Sequence, residues 1–348
     1  MTIQRVVHGG VTAAERAAAA AGGIELVDLS ASLNPYGPHP AVLRAARSAP
    51  LDRYPEAAAD TLRAAWASAH GLYPAQVLAA NGSSELIYLV ARAFASAGRC
   101  LVVGPTFGEY AAAARAADAS VTEVRSTAGD GFRLRLGDLL DLVSRTRPGL
   151  LFLCNPNNPT GQLVAPESVE ALATALHANG GRLVIDEAYM DFAEAEPGHP
   201  RPGVLVLRSL TKLHRVPGLR LGFLSGCNED IRAVQLLQPW SVSGPATAAG
   251  LAALREARFV AESVRRTGET RMALEEGLRR IGLDVVPGSA NFVLVHVGEG
   301  AAFRAALLKR GFAVRDCTSF QLPGHVRIAV PRDDQLPALL RAIEEVGV

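Results

Sequence analysis

Cysteine is scarce in this chain. There are four in 348 residues, Cys100, Cys154, Cys227 and Cys317, and none forms a C-x-x-C pair. That spacing argues against a disulfide frame and a zinc site, and predicts free thiols in a reducing compartment. Excess charge of one sign is also missing. Lys and Arg number 35 against 34 Asp and Glu, a formal net charge of +1, with no basic run. An electrostatic binder of nucleic acid or of a membrane surface is therefore not expected. No run approaches the ~18 apolar residues of a membrane span. The first eleven residues hold Arg5 and His8 but no apolar stretch, which predicts no signal peptide. There is no internal repeat and no low-complexity linker. What remains is a chain that is 49% hydrophobic and 20% charged, enough to bury a large core. It reads as a cytoplasmic α/β protein, and its length suggests two domains at roughly 150 residues each.

Short runs that are apolar on both faces punctuate the middle of the chain: Cys100–Val103, Leu150–Cys154, Leu183–Ile185, Val204–Leu207 and Leu221–Leu224. Buried parallel strands read this way. Helical patterns lie between them, at Ser84–Ser96, Glu109–Ala117 and Pro166–Ala178, the last opening on a proline at its first turn. The alternation predicts a parallel sheet covered by helices. The last sixty residues differ. Strands are expected at Asn291–Val297, Phe312–Arg315 and His325–Val330, and helices at Ala301–Arg310 and Gln335–Val346. Three parts follow: an N-terminal segment 1–38 packing on the small domain or the active site, a large domain 39–245, and a linking helix with a small α+β domain, 246–348.

Four motifs sit at predicted strand ends, in a fixed order. The first, Asn155-Pro156-Asn157-Asn158-Pro159-Thr160-Gly161, is at least a turn, and it stands where α/β sheets bind ligands. Asp186 ends an apolar strand in Val184-Ile185-Asp186-Glu187-Ala188-Tyr189. A carboxylate there needs a partner, which could be an ion pair, a helix cap or a protonated ring nitrogen. Ser209-Leu210-Thr211-Lys212 offers a lysine that is either a solvated charge or a nucleophilic amine. Arg220, in Gly218-Leu219-Arg220-Leu221-Gly222, suits a phosphate clamp.

Taken together, these motifs resemble the fold-type-I pyridoxal-phosphate enzymes, the aminotransferase superfamily, over essentially the whole chain. The resemblance implies a large domain with a mostly parallel seven-stranded sheet between helices, a small α+β C-terminal domain, and pyridoxal 5′-phosphate as cofactor, with no metal. Lys212 then bonds to the cofactor aldehyde and shuttles protons. Asp186 pairs with the ring nitrogen, Asn158 and Tyr189 with the phenolic oxygen. Ser209, Thr211 and Arg220 hold the phosphate, together with Gly82, Ser83 and Ser84 at a helix start. Phe107 stacks on the ring, unless it is a core aromatic. Tyr54 reaches the phosphate of the other subunit, which implies a homodimer.

Arg327 is implied as the anchor of the substrate carboxylate, and Arg315 as a second anion-binding arginine. Asp316 could simply pair with Arg315, and Arg332 and His325 are expected at the surface. Two families use this layout, histidinol-phosphate aminotransferase and threonine-phosphate decarboxylase of cobalamin biosynthesis. Val7-His8-Gly9-Gly10 and Asp28-Leu29-Ser30-Ala31-Ser32-Leu33-Asn34-Pro35-Tyr36-Gly37-Pro38 resemble the decarboxylase, as do Val216-Pro217-Gly218-Leu219-Arg220 and Pro239-Trp240-Ser241-Val242. His8 and Asn34 are the positions that would meet a substrate phosphate, and the expected reaction is decarboxylation of O-phospho-L-threonine. Transamination of histidinol phosphate is the alternative, because no residue type fixes which bond at the substrate carbon breaks. A non-catalytic effector-binding module of the same fold is disfavoured. Such proteins carry an added helix-turn-helix domain, and the cofactor fold here begins within the first forty residues.

Overall fold

The computed structural model describes Val6, residues 8–240 and residues 242–347; Val7 and Ser241 of the quoted motifs lie outside the described residues. The chain opens with α1 (Ala13–Ala21) and β1 (Val27–Asp28). Helix α1 starts where its sequence says it should. Thr12 accepts from the Glu15 N–H, and Glu15 reaches back to the Thr12 N–H, a reciprocal cap.

Helices α2 (Pro40–Arg47) and α3 (Asp60–Ala69) lead into the main sheet. Its first half is β2 (Val77–Ala80), α4 (Ser83–Phe94), β3 (Arg99–Gly104), α5 (Glu109–Ala116), β4 (Ser120–Arg125) and α6 (Leu136–Thr146). Then come β5 (Leu150–Cys154), α7 (Pro166–Ala178), β6 (Arg182–Asp186), β7 (Val204–Ser209), α8 (Leu210–Leu213) and β8 (Gly222–Ser225). The seven strands lie in the order β2-β8-β7-β6-β5-β3-β4. Strand β8 runs antiparallel to both neighbours, β7 and β2. This corrects the expectation of a parallel strand at Leu221–Leu224: a short return through Pro217–Leu219 brings the chain back beside β7. The other pairs are parallel.

Both faces of the sheet are buried, as its apolar runs require. One face packs Leu78, Val102, Phe152 and Val184 with Leu86, Val90 and Tyr110; the other packs Leu101, Leu151, Leu153 and Ile185 with Leu139, Val143, Leu172 and Leu176. Parallel register brings the strand ends level. Cys154 stands beside Asp186, and Asp186 beside Leu207. The Asn155, Asp186 and Ser209 motifs therefore meet along one edge, at the C-terminal ends of the strands.

Beyond α9 (Asn228–Gln235) and α10 (Gly244–Ala253), α11 (Ala257–Arg280) runs to the smaller part. That part holds β9 (Asp284–Val286), β10 (Phe292–His296), α12 (Gly300–Leu308), β11 (Phe312–Ala313), β12 (Arg315–Asp316), β13 (His325–Ala329) and α13 (Leu336–Val346). Strands β12-β13-β10-β9 form an antiparallel sheet. Strand β1 pairs parallel with β11, and Leu29 joins the core of this part. The run predicted as one strand at Phe312–Arg315 is thus two. Its first half serves β1 and its second half β13. His325, expected at the surface, is buried with its ring against Phe132 and His296, and burial lowers its pKa. Arg332 is exposed and pairs with Asp334. Among the described residues no helix is long and apolar enough to cross a membrane.

Candidate active site

A cavity of about 540 Å³ opens over the strand ends, between the main sheet, the small part and the N-terminal segment. At its floor the Asp186 carboxylate is buried. The Tyr110 hydroxyl donates to Oδ2 at 2.8 Å and the Ala188 N–H to Oδ1 at 3.0 Å. Burial pushes the Asp186 pKa up, while Tyr110, the Ala188 N–H and Lys212 pull the other way. A second buried carboxylate, Glu187, is turned from the cavity towards Arg208 at 3.1 Å. Tyr110 was not singled out from sequence. The signal was its place three residues after Phe107, in the first turn of α5. Its ring is fixed by an edge contact with Phe107 and a stack on Phe152.

Lys212 lies on the one-turn α8, whose start Ser209 caps by accepting from the Thr211 N–H at 3.3 Å. Its Nζ lies 5.5 Å from the centre of the Tyr189 ring, and Tyr189 packs edge-on against Phe292. Ser83, Ser84, Ser209, Thr211 and Arg220 line the same cavity. Two glycines hold this corner tight. A Cβ on Gly82, whose φ is +84°, would sit 2.7 Å from the Arg220 guanidinium; one on Gly222 would sit 2.5 Å from the Ser83 nitrogen. Helix α4 begins at Gly82 without a side-chain cap, so its first-turn N–H groups are left to whatever the cavity holds.

Two arginines of the small part line the same cavity. Arg327 is buried on β13, with one Nη on the Asn158 amide oxygen and the other on the Ser30 carbonyl at 2.7 Å. Its Nε is buried without a partner among the described residues. Arg315 stands directly opposite it on β12. It donates to the His8 carbonyl at 3.0 Å and to Ser319 Oγ at 2.7 Å. Burial, then the Arg327 charge, lower the Arg315 pKa.

Two sequence expectations, at Asn34 and His8, are redirected. Asn34 is wholly buried and does not line the cavity. Its N–H donates to the Lys212 carbonyl at 2.9 Å and its Nδ2 to the Leu213 carbonyl at 2.7 Å. It pins the N-terminal segment to the lysine-bearing turn, leaving no face for a substrate phosphate. The His8 ring points to Glu109, with Nε2 at 2.9 Å from Oε1, and lies 5.7 Å from the Phe107 ring. Its backbone, not its imidazole, serves Arg315. Tyr54 is 84% exposed, lies outside the cavity and packs on Trp240. Asp316 accepts from the Thr318 N–H and hydroxyl. Arg16 and Phe320 also line the cavity and gave no motif in the sequence; Asp28, the first residue of the quoted Asp28–Pro38 run, lines it too.

The residues fit pyridoxal 5′-phosphate. A buried carboxylate that makes no ion pair among the described residues suits a protonated ring nitrogen. Hydroxyls, an uncapped helix start and an arginine in the same cavity suit a phosphate, and a lysine stands there too. A sheet presenting that set at its strand ends defines a fold-type-I pyridoxal-phosphate enzyme.

The chain belongs to the aminotransferase class I and II family, whose model matches residues 24–343. It is 35% identical to a histidinol-phosphate aminotransferase of Symbiobacterium thermophilum, covering 92% of this chain and 90% of that protein. It is 32% identical to the threonine-phosphate decarboxylase of Salmonella typhimurium, covering 99% and 98%. The crystal structure of the histidinol-phosphate aminotransferase from Clostridium acetobutylicum superposes with a TM-score of 0.82 at 25% identity, covering 92% and 99%.

Proposed function

We propose that this protein is a cytoplasmic homodimer acting on a small amine or amino acid that also carries a phosphate. The observation behind this reading is the register of Arg315 against Arg327, both lining the cavity. Like charges directly opposite destabilise a sheet, and an anion between them offsets that cost. Further relatives at 31–34% identity bear the name histidinol-phosphate aminotransferase. Transamination of histidinol phosphate is accordingly the first reading of the reaction.

Decarboxylation of O-phospho-L-threonine is the second, and a separate observation favours it. Residues 8–10 line the cavity as a strap, and the match to the decarboxylase spans 99% of the chain, enough to take in that strap.

When bound, the cofactor supplies an electron sink for the bond broken at the substrate carbon. Asp186, shielded from water, would hold the proton on the ring nitrogen, and Tyr110 keeps that carboxylate aimed. Asn158 and Tyr189 would hold the phenolic oxygen, with Phe107 stacked on the ring. Lys212 would carry the cofactor and move the proton at the substrate carbon. Arg327 would fix the carboxylate and Arg315 the second anionic group. Tyr54 would complete the phosphate site of the partner subunit.

The test is product analysis by mass spectrometry of the cofactor-loaded protein. Aminopropanol phosphate from O-phospho-L-threonine without a keto acid selects decarboxylation. Glutamate from histidinol phosphate plus 2-oxoglutarate selects transamination. Turnover of neither removes both readings.

A further inference from the structure

Arg16 lines the cavity with Arg315 and Arg327 yet belongs to no motif. Its placement is firm. Helix α1 carries the Thr12–Glu15 cap, and Glu15 is clamped at 2.5 Å by Arg304 of α12. The helix thus rides on the small part, with Arg16 among the residues lining the cavity. The guanidinium itself is lightly engaged. Among the described residues its one ion-pair partner is Asp28, at 3.7 Å, and the side chain is 61% exposed.

Asp28 is already well supplied. Its Oδ1 accepts from the Ser30 N–H at 3.0 Å and the Ser30 hydroxyl at 2.6 Å, and its Oδ2 from the Val11 N–H at 3.1 Å. Those bonds hold the strap in place, so Arg16 adds little there. A surface pair at that distance contributes little by itself.

Charge matching says what Arg16 is for. Arg220 belongs with the cofactor phosphate and Asp186 with the ring nitrogen. At the other end Arg327 answers a carboxylate and Arg315 one negative charge. A phosphate monoester carries between one and two at neutral pH, its second ionisation falling near 6. We infer that Arg16 is a specificity-determining residue that leaves Asp28 to take the outer oxygens of the substrate phosphate. The site then selects a dianionic group over a monoanionic or neutral one. The inference rests on the phosphorylated-substrate reading, and on a substrate that also brings a carboxylate to Arg327, as O-phospho-L-threonine does and histidinol phosphate does not.

The experiment is calorimetric titration of the cofactor-loaded protein with inorganic phosphate, beside its Arg16→Gln and Arg16→Lys variants. Bound-cofactor absorbance and thermal unfolding check that each variant is intact. Arg16→Gln is expected to weaken phosphate binding about 10- to 100-fold, the worth of a charge-assisted contact. Arg16→Lys should fall between, since a point charge replaces a fork. Binding of L-threonine, which has no phosphate, should move by less than about twofold. Phosphate affinity unchanged in Arg16→Gln, or an equal loss for L-threonine, overturns the inference alone. Failure of the wild type to bind phosphate overturns it together with the phosphorylated-substrate reading.

Discussion

The two ends of the cavity are built by different means. The end proposed for the cofactor is made of strand termini that register brings level, each carrying a short motif: Asn158 after β5, Asp186 ending β6, and Ser209 to Lys212 after β7. The end proposed for the substrate is assembled from segments some three hundred residues apart. Arg315 bonds the His8 carbonyl, Arg327 bonds the Ser30 carbonyl, and β1 pairs with β11. The first end depends on side chains set in a rigid sheet. The second depends largely on backbone atoms of a strap laid across the small part. Damage at the first should abolish chemistry, and damage at the second should alter which substrate is held.

The largest expected effect is at Lys212. Lys212→Ala should cut turnover by at least ~10²–10⁴-fold, the range for a lost proton-transfer group. Borohydride treatment, followed by intact-mass measurement, should fix the cofactor to the wild type and not to the variant. A variant still carrying reducible cofactor would place the covalent bond elsewhere.

Arg327→Ala comes next and tests the opposite end. Loss of a buried guanidinium paired with Asn158 and Ser30 should lower kcat/KM by about 2–5 kcal/mol in transition-state terms. Covalent cofactor attachment should persist. Loss of the cofactor as well would mean that the two ends are not separable.

These two residues also show what the sequence makes legible. Lys212, Asp186 and Asn158 could be found because an apolar run, a turn and a polar residue are contiguous. Strand β8 was found but not its direction, because direction depends on the return at Pro217–Leu219 and not on residue type. Strand β4 was missed because it is an edge strand with no buried residue and no apolar run. His8 and Asn34 were visible as residues of a pattern. Whether each faces the cavity, and with which atoms, was not, since that depends on partners such as Glu109 and Leu213, far off in the chain.

Glu187 probes the cofactor end through pH. Burial pushes its carboxyl from an ordinary 4.5 up to about 7, against the pull of Arg208 and the Gly198 N–H. The folded protein therefore holds this proton more tightly than the unfolded chain does. The resulting stability is complete below about pH 4.5 and is lost as pH rises through 7. Its upper bound is about 3 kcal/mol. Glu187→Gln, neutral throughout, should show a shallower fall of Tm from pH 5 to 8 than the wild type. Parallel curves would remove Glu187 from the account.

The smallest effects separate backbone from side chain in the strap. A Cβ at Gly9 would sit 2.4 Å from the Ser30 carbonyl oxygen, the group that receives Arg327. Gly9→Ala should therefore shift the strap and raise KM, at a cost of about 1–3 kcal/mol typical of overpacking, with cofactor attachment intact. His8→Ala removes the contact to Glu109 and the tilted ring contact with Phe107, and the His8 side chain is 53% exposed. Exposed pairs contribute about 0–1 kcal/mol, so kcat/KM should fall less than about fivefold, equally for phosphorylated and unphosphorylated substrates. The carbonyl that Arg315 uses is still present in alanine. A large loss confined to phosphorylated substrates would show that the imidazole swings from Glu109 to the phosphate, and the substrate end would then depend on a side chain as the cofactor end does.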